Sequence, residues 1–219
     1  MQEKGLEPAF SRDALTELDR IRGAADVTVA GTRDLRSLLW ASIDNDDSRD
    51  LDQLTVAERL DDGRAKVYVA VADVDAIVKK DSAIDAHART NTTSVYTAAE
   101  IFPMLPEKLS TDLTSLNEGV DRLAVVVEMV CTKEGEVESA EIYRAAVHNR
   151  AKLAYDSVSV GLEGGAMPEH AAAVRAFPSS CACRTSSRRR CAPAATSAGR
   201  WSSRRSSRAP CSRTTRSST

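Results

Sequence analysis

Lys66-Val67-Tyr68-Val69-Ala70-Val71-Ala72 is apolar on both faces and rich in β-branched residues, a pattern that suits a strand in the middle of a sheet. The Asp61-Asp62-Gly63 turn just before it fits a hairpin-like entry. Upstream, Leu38-Leu39-Trp40-Ala41-Ser42-Ile43 reads as a short buried strand that runs into an acidic cluster. Downstream, residues 123–131 make a third strand, Gly135 turns the chain, and residues 137–146 make a fourth in an antiparallel hairpin. Ser11 caps a short helix that runs to about Ile21. A second helix is expected from near Arg150 through Leu153, Val158 and Leu162, stopped by Gly164-Gly165. A third is expected from Pro168 towards Phe177. The sum is an α+β fold: a mixed, largely antiparallel sheet with flanking helices.

The chain of 219 residues is two different polymers. Residues 1–177 hold all 32 acidic residues and 20 of the 30 basic ones, a net charge of −12. Residues 178–219 hold ten arginines, no lysine and no acid, a net charge of +10. That tail has no Leu, Ile, Val, Met, Phe or Tyr, so it cannot bury enough apolar surface to offset its chain entropy, and it is expected to be disordered. Clustered arginine attracts phosphate, so the tail reads as a nucleic-acid-binding arm. Its restriction to Arg, Ser, Ala, Pro, Thr, Cys, Gly and Trp reads also as a GC-rich coding sequence translated out of frame, and this second reading is favoured.

Four of the five cysteines lie in the tail without paired Cys-x-x-Cys spacing, and Cys131 reads as a small core residue. No apolar stretch approaches the ~18 residues of a membrane span. With no secretory signal either, a cytoplasmic protein without membrane contact is expected.

Chemistry concentrates in Ser42-Ile43-Asp44-Asn45-Asp46-Asp47-Ser48-Arg49-Asp50-Leu51-Asp52-Gln53-Leu54, where five aspartates fall within nine positions. In an extended stretch Asp50 and Asp52 point to the same side, and Asp44 meets them if the intervening loop folds back. Convergent carboxylates repel unless a cation lies between them, so the cluster is a candidate site for a hard divalent ion. A solvated acidic loop is the plainer alternative. An EF-hand is the weaker alternative, because the glycine at the sixth position and the terminal glutamate are both missing.

The order Ile43-Asp44, then Asp50-Leu51-Asp52, resembles the acidic motif that opens the RNB catalytic domain of the ribonuclease II family. Further segments agree in order: Arg33-Asp34-Leu35-Arg36, Val71-Ala72-Asp73-Val74, Tyr96, the stretch from Pro103 to Ser110, Ser115-Leu116, and the stretch from Ala151 to Asp156. The resemblance covers residues 30–177, after a lead-in at 1–29 and before the tail at 178–219. It implies a magnesium-dependent exoribonuclease that degrades single-stranded RNA from its 3′ end to nucleoside 5′-monophosphates, with no obligate protein partner. It further implies Asp44, Asp50 and Asp52 as catalytic metal and water ligands and Tyr96 as a stacking platform for a base. Gln53 stands where most members carry a fourth aspartate, so it offers only a neutral carbonyl ligand. The pattern stops after Phe177, where the family continues for about another domain's length, so the expected product is truncated and inactive or nearly so. Two rival functions follow: a non-catalytic RNA-binding fragment that uses the basic tail, and, ranked last, an unrelated magnesium-dependent phosphatase built on the Asp-x-Asp pair.

Overall fold

In the computed structural model, residues 2–60 and 62–162 are described. Asp61 of the expected turn, Gly164-Gly165, the helix read from Pro168 to Phe177 and the arginine tail lie outside the described residues.

The run quoted first becomes a strand, β4 (Ala65–Ala72), flanked on one side by β3 (Gln53–Arg59) and on the other by β7 (Asp121–Cys131), both antiparallel to it. Its two apolar faces serve two cores. Tyr68 and Ala70 join Trp40, Leu54, Val126 and Val147 in the main cluster, while Ala65 and Val67 pack with Ala57 and Cys131 on the other side. Small residues at 70, 124 and 145 make room for Trp40 and Tyr68, which meet edge to face with centroids 6.2 Å apart. Cys131 is therefore a core residue, as its apolar neighbours suggested.

β2 (Trp40–Asp44) pairs antiparallel with β3 and parallel with β8 (Val137–Ala154), and β8 also pairs antiparallel with β7. The ladder β2-β3-β4-β7-β8 thus returns to β2 and closes on itself, which the sequence reading did not anticipate. β1 (Arg33–Asp34) adds a short parallel pairing to β8. The mixed, largely antiparallel sheet is as expected.

Two readings need correction. The expected helix at Arg150 is still strand: Ala151 and Leu153 alternate inward to meet Ala41, and residues 151–154 pair with Ala41–Asp44. Period-two burial wins there, and the helix α3 starts only at Tyr155 (Tyr155–Leu162). The second concerns β3, which was not read as a strand because it begins inside the acidic cluster.

The remaining elements form a satellite layer. The helix α1 (Arg12–Arg20) starts as expected at Ser11, whose side chain accepts from the Ala14 N–H. A further helix, α2 (Ala83–Asn91), is capped by Ser82 accepting from the Asp85 N–H. Ala14 of α1 and Ile84 of α2 pack with Val78, Leu105 and Leu109. A small hairpin, β5 (Val95–Tyr96) and β6 (Ile101–Phe102), rises from this layer. Among the described residues, no helix is long and apolar enough to cross a membrane.

Candidate active site

Asp44 is the last residue of β2, opposite Ala154 in the parallel ladder, so a core strand fixes its backbone. Its Oδ1 accepts the N–H of Asn45 (2.7 Å), and Asn45 O accepts from the Ser48 N–H (3.2 Å), which bends the loop back. Leu51 is buried, with 3% of its surface exposed. Asp50 and Asp52 flank it, and both line one cavity of about 690 Å³ together with Asp44 and Asp47. The period-two expectation for Asp50 and Asp52 and the fold-back of Asp44 are therefore both met.

The electrostatics follow from that convergence. The Asp52 carboxyl is reached by solvent but recessed in the cavity. Partial removal from water pushes its pKa up first, and the charges of Asp50 and then Asp44 add to the shift. Arg49 and Glu107 also line the cavity, so acids outnumber bases there five to one, counting Asp44, Asp47, Asp50, Asp52 and Glu107 against Arg49. Gln53 opens β3 as an exposed residue and is not part of the cavity lining. Asp46 turns to a neighbouring depression beside Tyr155 and Asp156.

Tyr96 stands at the rim with 65% of its surface exposed, and its hydroxyl donates to Asp50 Oδ2 at 3.3 Å. Loss of water contact, followed by the charge of Asp50, raises the phenol pKa. Ile101 faces it across the β5–β6 pairing and is also exposed, so the rim presents a flat apolar surface beside the acids. The Met104 N–H donates to Ser94 Oγ (3.0 Å), and the buried Leu105 and Leu109 root the Pro103–Ser110 stretch below. That stretch positions Tyr96.

The donor set suits magnesium more than an ion that needs a full protein cage. Among the described residues, no three His, Cys, Asp or Glu side chains are gathered tightly enough to hold a metal ion as they stand. Magnesium retains several of its waters and takes only one or two carboxylates, so an open set of aspartates fits it. Sequence reasoning missed several contributors. Ser115 accepts the Leu51 N–H, and Ile101, Glu107 and Thr111 complete the walls. Ser115 had appeared only as part of a family pattern, without a role.

The family description RNB domain matches residues 32–202 of this chain. The chain belongs to the RNB family. RNB relatives include the ribonuclease R of Vibrio parahaemolyticus, 43% identical over 134 residues, which are 61% of this chain and 16% of the relative. Ribonuclease R of Escherichia coli is 40% identical over 135 residues, 62% of this chain and 17% of the relative. The chain thus spans about one sixth of the length of these two relatives. Among solved structures, Mycoplasma genitalium RNase R in complex with double-stranded RNA superposes with a TM-score of 0.73 at 25% identity, covering 86% of this chain and 34% of that one. Yeast Ssd1, described as a pseudonuclease, shares the fold alone: TM-score 0.54, 15% identity, 67% of this chain and 18% of that one. The RNB resemblance read from the motifs and the expected fold are both shown, and the chain belongs to an exoribonuclease family.

Proposed function

We propose that this chain carries the phosphodiester-hydrolysing centre of a magnesium-dependent 3′→5′ exoribonuclease acting on single-stranded RNA and releasing nucleoside 5′-monophosphates. The observation that carries the reading is the meeting of Asp44, Asp50, Asp52 and Tyr96 around one cavity. Magnesium held by one or two of Asp44, Asp50 and Asp52, with the remaining carboxylates on its waters, would polarise a phosphate oxygen and lower the pKa of a bound water. Asp52, recessed in the cavity beside Asp50 and Asp44, would take a proton from the attacking water. Tyr96 offers its exposed ring to a terminal base and steadies Asp50 through its hydroxyl. RNase R of Mycoplasma genitalium has been solved with ribose-methylated single-stranded RNA, which supports RNA as the ligand of this fold.

The test uses the full 219-residue chain with 5′-labelled single-stranded RNA and magnesium. Because the chain spans about one sixth of its relatives' length, the wild-type chain is expected to bind RNA and shorten it from the 3′ end only slowly, and Asp52→Asn is expected to bind it without cleaving. Undiminished cleavage by that variant would sink the assigned role. One observation favours a non-catalytic second reading: the net +10 of residues 178–219 against −12 in the rest. RNA binding that weakens steeply with salt and disappears when residues 178–219 are deleted, with no cleavage by the whole chain, would establish it instead.

A further inference from the structure

We infer that Ser115 is a positioning residue for the acidic centre, acting through the backbone of Leu51. This rests on the reading of Asp44, Asp50 and Asp52 as a magnesium site. Leu51 is the one residue between two cavity-lining aspartates, and both its backbone polar groups are held by a neighbouring dipeptide. Its N–H donates to Ser115 Oγ at 3.0 Å, and its carbonyl accepts from the Leu116 N–H at 2.9 Å. Its side chain is buried, so it cannot rotate outward. One residue on, the Asp52 carbonyl accepts from the Ala72 N–H at the end of β4 (3.0 Å). With the peptide planes fixed on both sides of Leu51, Asp50 and Asp52 are held on the same side of an extended segment.

The serine is itself held. It is 0% exposed, and its hydroxyl has one proton to give and two lone pairs to accept with. The proton goes to Asn117 Oδ1 at 3.0 Å, and Asn117 Nδ2 in turn donates to the carbonyl of Thr111 at 3.0 Å. Thr111 lines the same cavity as the aspartates. A partly buried polar chain therefore runs from the cavity wall through Asn117 and Ser115 to the hinge between the two carboxylates. Nothing in the proposed hydrolysis uses Ser115 as a nucleophile, since its Oγ is buried and bonded to Leu51 and Asn117. Its chemistry is to fix direction: a neutral acceptor for one amide, placed where alanine leaves that amide unpaired.

The experiment uses the full chain with Ser115→Ala, which removes the acceptor, and Ser115→Thr, which restores a hydroxyl. Asn117→Ala leaves Ser115 in place and removes the nearer of its two acceptors, the other being the Arg49 carbonyl at 3.4 Å, so it serves where Ser115→Ala fails to fold. Two readouts are taken besides thermal stability: Mn²⁺ affinity by electron paramagnetic resonance, with Mn²⁺ as the probe for magnesium, and amide hydrogen exchange across residues 50–53. Loss of one buried hydrogen bond predicts about tenfold weaker Mn²⁺ binding by Ser115→Ala, with faster exchange at Leu51 and recovery of both in Ser115→Thr. Asn117→Ala is expected to shift both in the same direction by less. Mn²⁺ binding that stays at the wild-type level while Leu51 exchange accelerates would overturn the inference. If the wild-type chain binds no Mn²⁺, the metal reading fails by itself, and exchange decides the clamp. Acceleration across residues 50–53 in Ser115→Ala, reversed in Ser115→Thr, supports it, and unchanged exchange overturns it.

Discussion

Replacing Asn149 by alanine should cost the fold a large part of its stability, and the size of the loss can be worked out group by group. Asn149 is almost completely buried. Its Nδ2 donates to the Leu116 carbonyl at 2.9 Å and to Ser42 Oγ at 3.2 Å, and its Oδ1 accepts from the Ala151 N–H at 3.1 Å. The strand register shifts at this point: Trp40 faces Asn149, whereas Ala41 faces Ala151, so Arg150 is an extra residue and β8 bulges. The side-chain oxygen takes up the N–H next to the bulge. Alanine deprives a buried carbonyl and a buried N–H of these partners, at about 1–3 kcal/mol each. The Ser42 hydroxyl can rotate and adds little, so the expected loss is about 2–6 kcal/mol, against about 5–15 kcal/mol for a whole domain. Urea unfolding followed by far-ultraviolet circular dichroism measures it. Asn149→Asp keeps the shape but turns a carboxylate oxygen towards the Leu116 carbonyl, so it should cost at least as much. Losses below about 1 kcal/mol in both variants would refute this account of the bulge.

Two further outcomes follow from the cavity. The Asp52 pKa is raised in the folded chain, so the folded state holds that proton to higher pH than the unfolded state does. Its contribution to stability is therefore lost as pH rises from the ordinary aspartate value of about 3.9 through the raised one. Without added divalent ion, Asp52→Asn should stabilise the neutral-pH fold by about 0.2–1 kcal/mol, as expected for a solvent-reached charge, with the gain vanishing in acid. Melting curves across pH would show it, and a gain that grows in acid would have the wrong sign. At the rim, Tyr96→Ala should weaken single-stranded RNA binding by about 1–3 kcal/mol while Tyr96→Phe retains most of it. Equal losses in a filter-binding titration would assign the effect to the hydroxyl on Asp50 instead of the ring.

The parts of the fold legible in the sequence are those where one strand's own composition decides its fate. Residues 66–72 and 123–131 are dense in valine, three of seven and four of nine, and such β-branched side chains favour a strand over a helix. β8 was half legible: up to Ala146 its alternation reads as strand, whereas Ala151-Lys152-Leu153-Ala154 suits a helix equally well until Ala41–Asp44 lies beside it. That choice is made by tertiary pairing, which local propensity does not contain. α2 carried a readable signal, since Ser82 with Asp85 three residues later marks a helix start. Of the site, the two acids spaced by two were legible because period-two geometry needs no partner. The contact of Tyr96 with Asp50 and the hold of Ser115 on Leu51 join residues 46 and 64 positions apart, and spacing carries no information at that range.

The likeness to a pseudonuclease shows that this sheet by itself is not the chemistry. What the sheet contributes is placement. Catalytic groups must be held within ~0.5 Å of their working geometry, and a free surface loop does not do that. The acidic segment is accordingly tied at three points: Asp44 ends a strand paired on both sides, Leu51 is bonded to Ser115 and Leu116, and the Asp52 carbonyl is bonded to the end of β4. Only Asn45 to Arg49 span the gap, and that gap carries Asp46, which faces away, and Asp47 at the cavity edge. Asp44 and Asp52 are tied through their own backbones and Asp50 through the peptide it shares with Leu51, and these are the three on which the proposed chemistry depends. Asp46 and Asp47, by contrast, sit on the free span, so the fold divides the five acids into a held set and a free pair.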